Sequence, residues 1–358
     1  MPLSQGALLQ AARSGDEDAF RRLVEPHRRE LHAHCYRMLG SVQDAEDALQ
    51  DALLRAWRAL PGFQERSSLR SWLYKIATNT SLDAIARRPQ RVLPIDYGPP
   101  SDPHDGVGPP LVESVWIEPY PDETFDIGDR MLGPEARYEQ RESVELAFIA
   151  ALQHLPAAQR AVLILREVLG FSAKEVAEQL DTTVQSVNSS LQRARKAADE
   201  KLPDQSQQAT LRALGDEQMS ELVETYMRAW EAGDADTIVA MLTEDATLAM
   251  PPMPTWFQGR AGVAGFLTEL AFAGQERRRQ LVSFAGEERR MRLVPTRANG
   301  QPAFGAYYWN DEAGAYIPRA LQVLTFREGR IADITGFADP AMMAPFGLPE
   351  RLEAAPAR

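Results

Sequence analysis

The sequence predicts a multidomain chain: two all-α modules, the second with a helix-turn-helix, followed by an α+β module whose sheet is antiparallel. Three observations carry that prediction. Apolar residues recur at helical spacing through 41–60 and again from Val144 to Ala194, a Pro- and Gly-rich acidic stretch separates the two regions, and strand-like segments appear only toward the C-terminus. With 358 residues, the chain has length for two or three domains.

The first module is carried by SVQDAEDALQDALLRAWRAL, residues 41–60. Val42, Ala45, Leu49, Ala52, Leu53, Ala56, Trp57 and Leu60 form one helical face, and Ser41 caps its start. The other face carries Asp44, Asp47 and Asp51, then Arg55 and Arg58. Taken alone this is a solvated face that complements the helix dipole and pairs Asp51 with Arg55. A second helix follows in FQERSSLRSWLYKIATNTSLDAIARRP, with Leu69, Trp72, Leu73 and Ile76 on one side. Its polar positions Arg70, Lys75, Asn79, Arg87 and Arg88 interleave cations with aromatic rings, as single-strand binding requires. For Trp72 and Tyr74 alone, a core role is the plainer reading.

Residues 93–135 hold ten acidic and one basic side chain, so they carry most of the net charge of -12. They show neither helical nor alternating period and are expected to be a linker. In the second module, Val144, Phe148, Ala151, Leu152 and Leu155 mark a helix stopped at Pro156, and AAQRAVLILREVLG ends at Gly170. Ser172 with Glu175 makes a capping box, and Thr182 with Gln185 is expected to repeat it. Two capped helices separated by Asp181, Thr182 and Thr183 have helix-turn-helix spacing. Val184, Val187, Leu191 and Ala194 are expected to face inward. Asn188, Ser189, Gln192, Arg193 and Arg195 are then free to meet DNA, where amide and guanidinium groups read base edges.

After the polar spacer DQSQQA, Met219, Leu222, Val223, Tyr226 and Trp230 line a helix ending at Gly233. A strand within EDATLAMPP, a short helix AGVAGFLTEL and the strands MRLVPTR, PAFGAYYW, RALQVLTF and RIADITGF complete the third module, with a turn at Arg327 to Arg330. No metal site is expected: His32, His34 and Cys35 are neighbours that diverge on a helix. Nor do Gly259, Gly262 and Gly265 have phosphate-loop spacing, and no cofactor is expected. The lone cysteine excludes an internal disulfide. Apolar runs are short and the N-terminus lacks a basic-then-apolar leader, so a cytoplasmic chain without a membrane span is the expectation.

Taken together, the first two modules resemble the extracytoplasmic-function sigma factors of bacterial RNA polymerase. DAEDALQDALLRAW is similar to the polymerase-binding helix of region 2, FQERSSLRSWLYKIATNTSLDAIARR to its promoter-melting part, and LPAAQRAVLILREVLGFSAKEVAEQLDTTVQSVNSSLQRARK to region 4. Asp181 stands where glycine is frequent, and Asp tolerates the left-handed geometry. The resemblance implies that Asp47, Gln50 and Asp51 face the beta-prime clamp of the polymerase core, whose beta flap is a further contact. It implies that Trp72, Lys75, Asn79, Arg87 and Arg88 serve the -10 element, and that Asn188, Ser189, Gln192, Arg193 and Arg195 serve the -35 element of promoter DNA. An acidic chain suits such a role, because the polymerase core supplies the phosphate contacts.

The third module resembles the SnoaL-like polyketide-cyclase and ketosteroid-isomerase cone, with a curved sheet around a pocket. Tyr226, Trp230, Trp256, Phe257, Tyr307 and Trp309 are candidates to line that pocket or simply to fill it, and Asp333 is the candidate acid. All five histidines lie outside this module, so a regulatory cone and not an enzyme is expected. The expected layout is sigma region 2 at 1–92, linker at 93–135, region 4 at 136–204, a connector at 205–215, the cone at 216–338 and a tail at 339–358. The cone is expected to modulate the sigma part in cis by docking on its domains or on the linker, at WIEPYPD. Two rivals remain at this level: a cone that binds or transforms a small molecule with the sigma part as reporter, and a repressor that never joins polymerase.

Overall fold

The computed structural model describes residues 4–111, 115–125, 142–272 and 291–353. These form two compact units. The first unit comprises residues 1–91, 124–143 and 147–203. Its helices α1 (Gln5–Arg13), α2 (Glu17–Leu39), α3 (Val42–Ala59) and α4 (Leu69–Ile85) each start at a Ser or Asp that accepts a backbone N–H: Ser4, Asp16, Ser41 and Ser68. Helix α2 stops at Gly40, which takes a left-handed φ of 71°. Leu31, Cys35, Tyr36 and Met38 of α2 pack with Leu49, Ala52 and Ala56 of α3 and with Leu73, Tyr74 and Ala77 of α4.

The same unit contains α5 (Leu146–Gln153) from Ala147 onward, α6 (Ala157–Leu163), α7 (Ala173–Gln179) and α8 (Val184–Asp199). Helix α6 runs on through a π turn at Ile164–Val168 and the chain reverses at Gly170. Ser172 and Glu175 form the expected capping box. The cap of α8 is Thr183, not Thr182, because the turn runs one residue further before the helix begins. Val184 is 43% exposed at the first turn of α8 and does not face inward.

The two helical modules are joined by buried polar contacts. Arg160 of α6, 4% exposed, donates to the carbonyls of Met38, Gln153 and Leu155 and to the Gln153 side chain, and its burial lowers its pKa to about 10. Arg37 donates to Ser143, and Gln153 returns a bond to the Arg37 carbonyl. Phe171 meets the edge of Tyr74, with the Arg70 guanidinium over both rings.

The second unit comprises residues 92–123, 144–146 and 204–358. A long helix α9 (Gln207–Ala232) is broken at Gly215, where φ is 75°. Residues 207–214, expected as a polar connector, are helical because Glu145 caps the backbone N–H groups of Gln207 and Gln208, while their amides bond the carbonyls of Phe326 and Gly300. Then come α10 (Ala235–Ala240), β1 (Leu242–Ala249), β2 (Trp256–Gln258), α11 (Gly259–Gly265), β3 (Met291–Ala298), β4 (Gln301–Asn310), β5 (Ala315–Arg327), β6 (Arg330–Phe337) and β7 (Leu352–Glu353). The sheet runs β2-β1-β6-β5-β4-β3, with β7 on β5. It is mixed: β1 and β6 pair parallel, which corrects the all-antiparallel expectation, and the other pairs are antiparallel. Parallel neighbours are possible here because the long connection from β1 through α11 lets β6 return beside it. Two-residue turns at Asn299-Gly300 and Glu328-Gly329, all with positive φ, close the hairpins β3–β4 and β5–β6.

Residues 92–123 are a strap laid on this cone. Ser101 donates to the Trp256 carbonyl and Trp256 Nε1 to the Gly98 carbonyl; Leu111 and Trp116 Nε1 both donate to the Pro252 carbonyl. Trp116, Ile117 and Tyr120 are buried. The rest of the expected linker, 126–135, lies outside the described residues, as does the start of the region-4 segment, 136–141. The tail to residue 353 belongs to this unit. Met343 and Leu348 sit where a Cβ on Gly305 would fall, within 2.7 and 2.8 Å.

Candidate functional site

Helix α8 offers one open face. Asn188, Ser189, Gln192, Arg193 and Arg195 are all exposed, while Val187, Leu191, Ala194 and Ala198 anchor the other side in the unit. Beside that face is a shallow groove lined by Arg166, Asn188, Gln192, Arg195 and Lys196. Arg193 bonds the neighbouring Ser190 hydroxyl, whereas Arg195 is paired with Glu167 at 2.7 Å. This surface presents amides and guanidinium groups at helical spacing, the chemistry that reads purine edges in a major groove. Asp181 at the turn has a φ of 47°, so the Asp holds the left-handed position expected of it.

Helix α3 divides its acidic residues between two roles. Asp47, Gln50 and Asp51 are exposed, and Leu54, 45% exposed, continues their stripe one turn further. Asp44 is not part of it. It is 7% exposed and ion-paired with Arg88 and, at 2.6 Å, with Arg91. A single exposed apolar residue is ordinary on a protein surface, so the stripe is characterised chiefly by its carboxylates and amide. The stripe periodicity was readable from sequence; Leu54, an apolar residue off the core face, was not singled out there.

The residues expected at the -10 element are not equally open. Trp72 stacks on Phe63 with ring centroids 4.8 Å apart, and Asn79 is half-buried on α4. Arg87 is exposed, whereas Arg88 is held by Asp44. Lys75 reaches the helix-turn-helix, donating to Asp181 at 2.8 Å and to the Glu178 carbonyl at 2.9 Å. Gln179 of α7 donates to Ser71 of α4 nearby. Part of the α4 surface is therefore occupied by the turn that precedes α8.

Inside the cone is a cavity of about 360 Å³ whose lining includes Trp230, Leu248, Met250, Phe266, Tyr308, Arg319, Gln322 and Ile334, together with Pro110 of the strap. Of the expected pocket aromatics, Trp230 lines it. Tyr226 stands in the core behind, donating to Gln322 Oε1 at 3.0 Å, and burial pushes its phenol pKa upward. Phe257 stacks on Phe266, and Trp256 is taken by the strap. Tyr307 turns to the tail, donating to the Pro349 carbonyl at 2.7 Å, and Trp309 bonds Asp311. Alternation explains this: Ala306 and Tyr308 line the cavity, so Tyr307 lies on the opposite face. By the same parity Asp333 is not in the cavity, which Ile334 and Gly336 line; it accepts from Thr247 at 2.6 Å, and burial raises its pKa. Asp245 pairs with Arg327. Among the described residues no group of His, Cys, Asp and Glu could hold a metal. His34 bonds Thr78 at 2.8 Å, and Cys35 is buried with its thiol pushed up to about 12, first by burial.

Comparison with known proteins matches three family descriptions: Sigma-70 region 2 over residues 23–91, Sigma-70 region 4 over 145–197 and a SnoaL-like domain over 223–334. The chain is 41% identical over 341 residues to the ECF RNA polymerase sigma factor SigG of Mycobacterium tuberculosis, covering 95% of this chain and 86% of that one. It is 32% identical over 199 residues to the RNA polymerase sigma-H factor of Pseudomonas aeruginosa, covering 54% of this chain and 92% of that one. The crystal structure of the Mycobacterium tuberculosis extracytoplasmic function sigma factor SigJ shares the fold, with a TM-score of 0.55 at 22% identity, over 90% of this chain and 97% of that one.

Proposed function

The chain belongs to the extracytoplasmic-function sigma factors of RNA polymerase, with a SnoaL-like domain at its C-terminus, and from that premise we propose a role for each of its surfaces. As a sigma factor it binds the polymerase core and promoter DNA. The stripe Asp47, Gln50, Asp51 and Leu54 docks on the beta-prime clamp. Asn188, Ser189, Gln192 and Arg193 read the -35 element, with Arg195 released from Glu167 onto phosphate. Trp72, Asn79 and Arg87 serve the -10 element, joined by Lys75 once it leaves Asp181. The observation that carries this assignment is the exposed acidic stripe on α3.

The cone acts in cis, as a regulator and not as an enzyme. Its grip on residues 92–123 supports this, since that strap is the covalent link between the two sigma modules. Among the described residues the lining of the cavity has no carboxylate or histidine, the groups that most often move a proton, and this is in keeping with a regulatory reading. The layout proposed from sequence is kept, with the strap and residues 205–215 assigned to the cone. No helix among the described residues is long and apolar enough to cross a membrane, in keeping with a protein that works at the polymerase.

Run-off transcription with core polymerase tests the assignment. We expect the full chain to initiate from selected promoters, and Asp47→Lys with Asp51→Lys to lose at least about ten-fold through like-charge contact, worth about 1.4 kcal/mol or more. An unchanged yield would remove the stripe from the polymerase interface.

A further inference from the structure

The cone cavity combines an apolar wall with a few polar groups. Met250, Met253, Phe266, Leu270 and Ile334 supply the wall. Beside the Tyr308 hydroxyl, which can donate or accept, three of the polar groups are donors. Trp230 is 4% exposed, and its indole N–H, which can only donate, is directed toward the Tyr226 hydroxyl without making a well-aligned bond among the described residues, so it has donor capacity to spare beside the cavity. Gln322 has its Oε1 already engaged by Tyr226, which leaves its NH2 group to offer.

Arg319 is the third donor, and the backbone places it by a specific device. The β4–β5 pairing steps from Ala306 opposite Ala320 to Tyr307 opposite Pro318, so Arg319 is the extra residue of a β-bulge. Such a bulge re-aims a side chain that strict alternation would send to the other face. Arg319 thus lines the cavity together with Ala320 and Gln322, half-buried and with no acidic partner among the described residues. At about 30 Å³ per water in the liquid, 360 Å³ is room for about a dozen waters, the scale of a small organic ligand.

We propose that this cavity binds a small carboxylate with an aromatic or short aliphatic body. The carboxylate pairs with the Arg319 guanidinium and takes hydrogen bonds from Gln322 and Trp230, and the body fills the space between Met250, Phe266 and Ile334. Pro110 of the strap forms part of the same wall, so occupancy is sensed directly by the segment that links the sigma modules. That consequence rests on the reading of the cone as a cis regulator; binding itself does not.

Isothermal titration of the full chain with 2-naphthoate, decanoate and the neutral 2-naphthalenemethanol tests the proposal. The expected result is binding of at least one carboxylate, with the neutral alcohol at least about ten-fold weaker than naphthoate, as a charge-assisted pair requires. Arg319→Gln should bring naphthoate and the alcohol within about two-fold while leaving the unliganded thermal midpoint near that of the native chain, and Trp230→Phe should weaken the carboxylate several-fold. The proposal is overturned if neither carboxylate binds below about 1 mM, or if Arg319→Gln keeps the preference. No DNA or polymerase enters this titration, so its failure leaves the sigma-factor role standing, and a failed transcription assay leaves the cavity proposal standing.

Discussion

Single residues in this protein are set by partners that are distant in sequence. Asp44 looks like the first member of an exposed acidic stripe, because the i, i+3, i+7 spacing is the same whether or not a cation arrives from elsewhere. Arg88 and Arg91 arrive from beyond α4 and turn it into a buried ion pair. His34 likewise has no local signature. It is fully enclosed, its Nε2 bonded to Thr78, and burial, helped by the charges of Arg37 and Arg70, lowers its pKa to about 3 from 6.5. The folded chain therefore holds it neutral while the unfolded chain protonates it below pH 6.5. Its stabilising effect is complete above that pH and is lost as pH falls from 6.5 toward 3, at up to about 1.4 kcal/mol per pH unit. Hydrogen exchange of α2 and α4 amides at pH 7, 6 and 5, corrected for intrinsic rates, should show protection falling with acid. In His34→Gln that fall should be shallower, and an identical slope in both chains would place the acid sensitivity on another group.

At the level of elements, what is local was legible to within a residue, as the cap at Thr183 in place of Thr182 shows, and what depends on register was not. The capping box at Ser172 and the glycine stop at 170 are short-range devices, and both are found where the sequence places them. The cavity lining failed by one residue at Tyr307 and Asp333, since alternation defines two faces of a strand but only its pairing and packing decide which of them meets the cavity. The helix-turn-helix offers a sharper test in Asp181, which combines a left-handed φ with an ion pair to Lys75 whose partners are 77% and 35% exposed. An exposed pair of that kind contributes about 0–1 kcal/mol. Asp181→Gly removes the pair but suits the backbone, so the thermal midpoint of the first unit should move little. Asp181→Val removes the pair and places a β-branched residue at positive φ, adding about 1–2 kcal/mol of strain. Thermal unfolding should rank the chains Gly near native and Val clearly below. Equal losses in both would mean that the ion pair, not the turn geometry, is the main contribution of Asp181.

Over the whole molecule, the net charge of -12 is explained by where the acids are kept. The strap carries much of it, and its charged groups make contacts within the cone's unit: Asp122 receives Arg297 and the Gly300 N–H, and His104 of the strap bonds Glu269 of the cone. No period in a Pro- and Gly-rich segment foretells this, because its partners are carbonyls and amides of a module more than a hundred residues away. Asn299 is the tightest point. Its Oδ1 accepts from the Tyr120 N–H, its own N–H donates to the Tyr120 carbonyl, and its Nδ2 donates to the Val144 carbonyl. One side chain therefore holds the chain on both sides of residues 121–143, where the strap ends and the second sigma module begins. Replacing Asn299 by glycine keeps the positive φ that the hairpin turn needs and deletes both side-chain bonds, about 1–3 kcal/mol of clamp. If the clamp restrains the sigma modules, Asn299→Gly should speed hydrogen exchange over 115–123 and raise run-off transcription several-fold, while the cone's own strands stay protected. Faster exchange with unchanged transcription would show that the strap can leave the cone without affecting initiation. That outcome would remove the strap from any control of initiation and leave the Lys75–Asp181 contact between α4 and the helix-turn-helix as the next one to test.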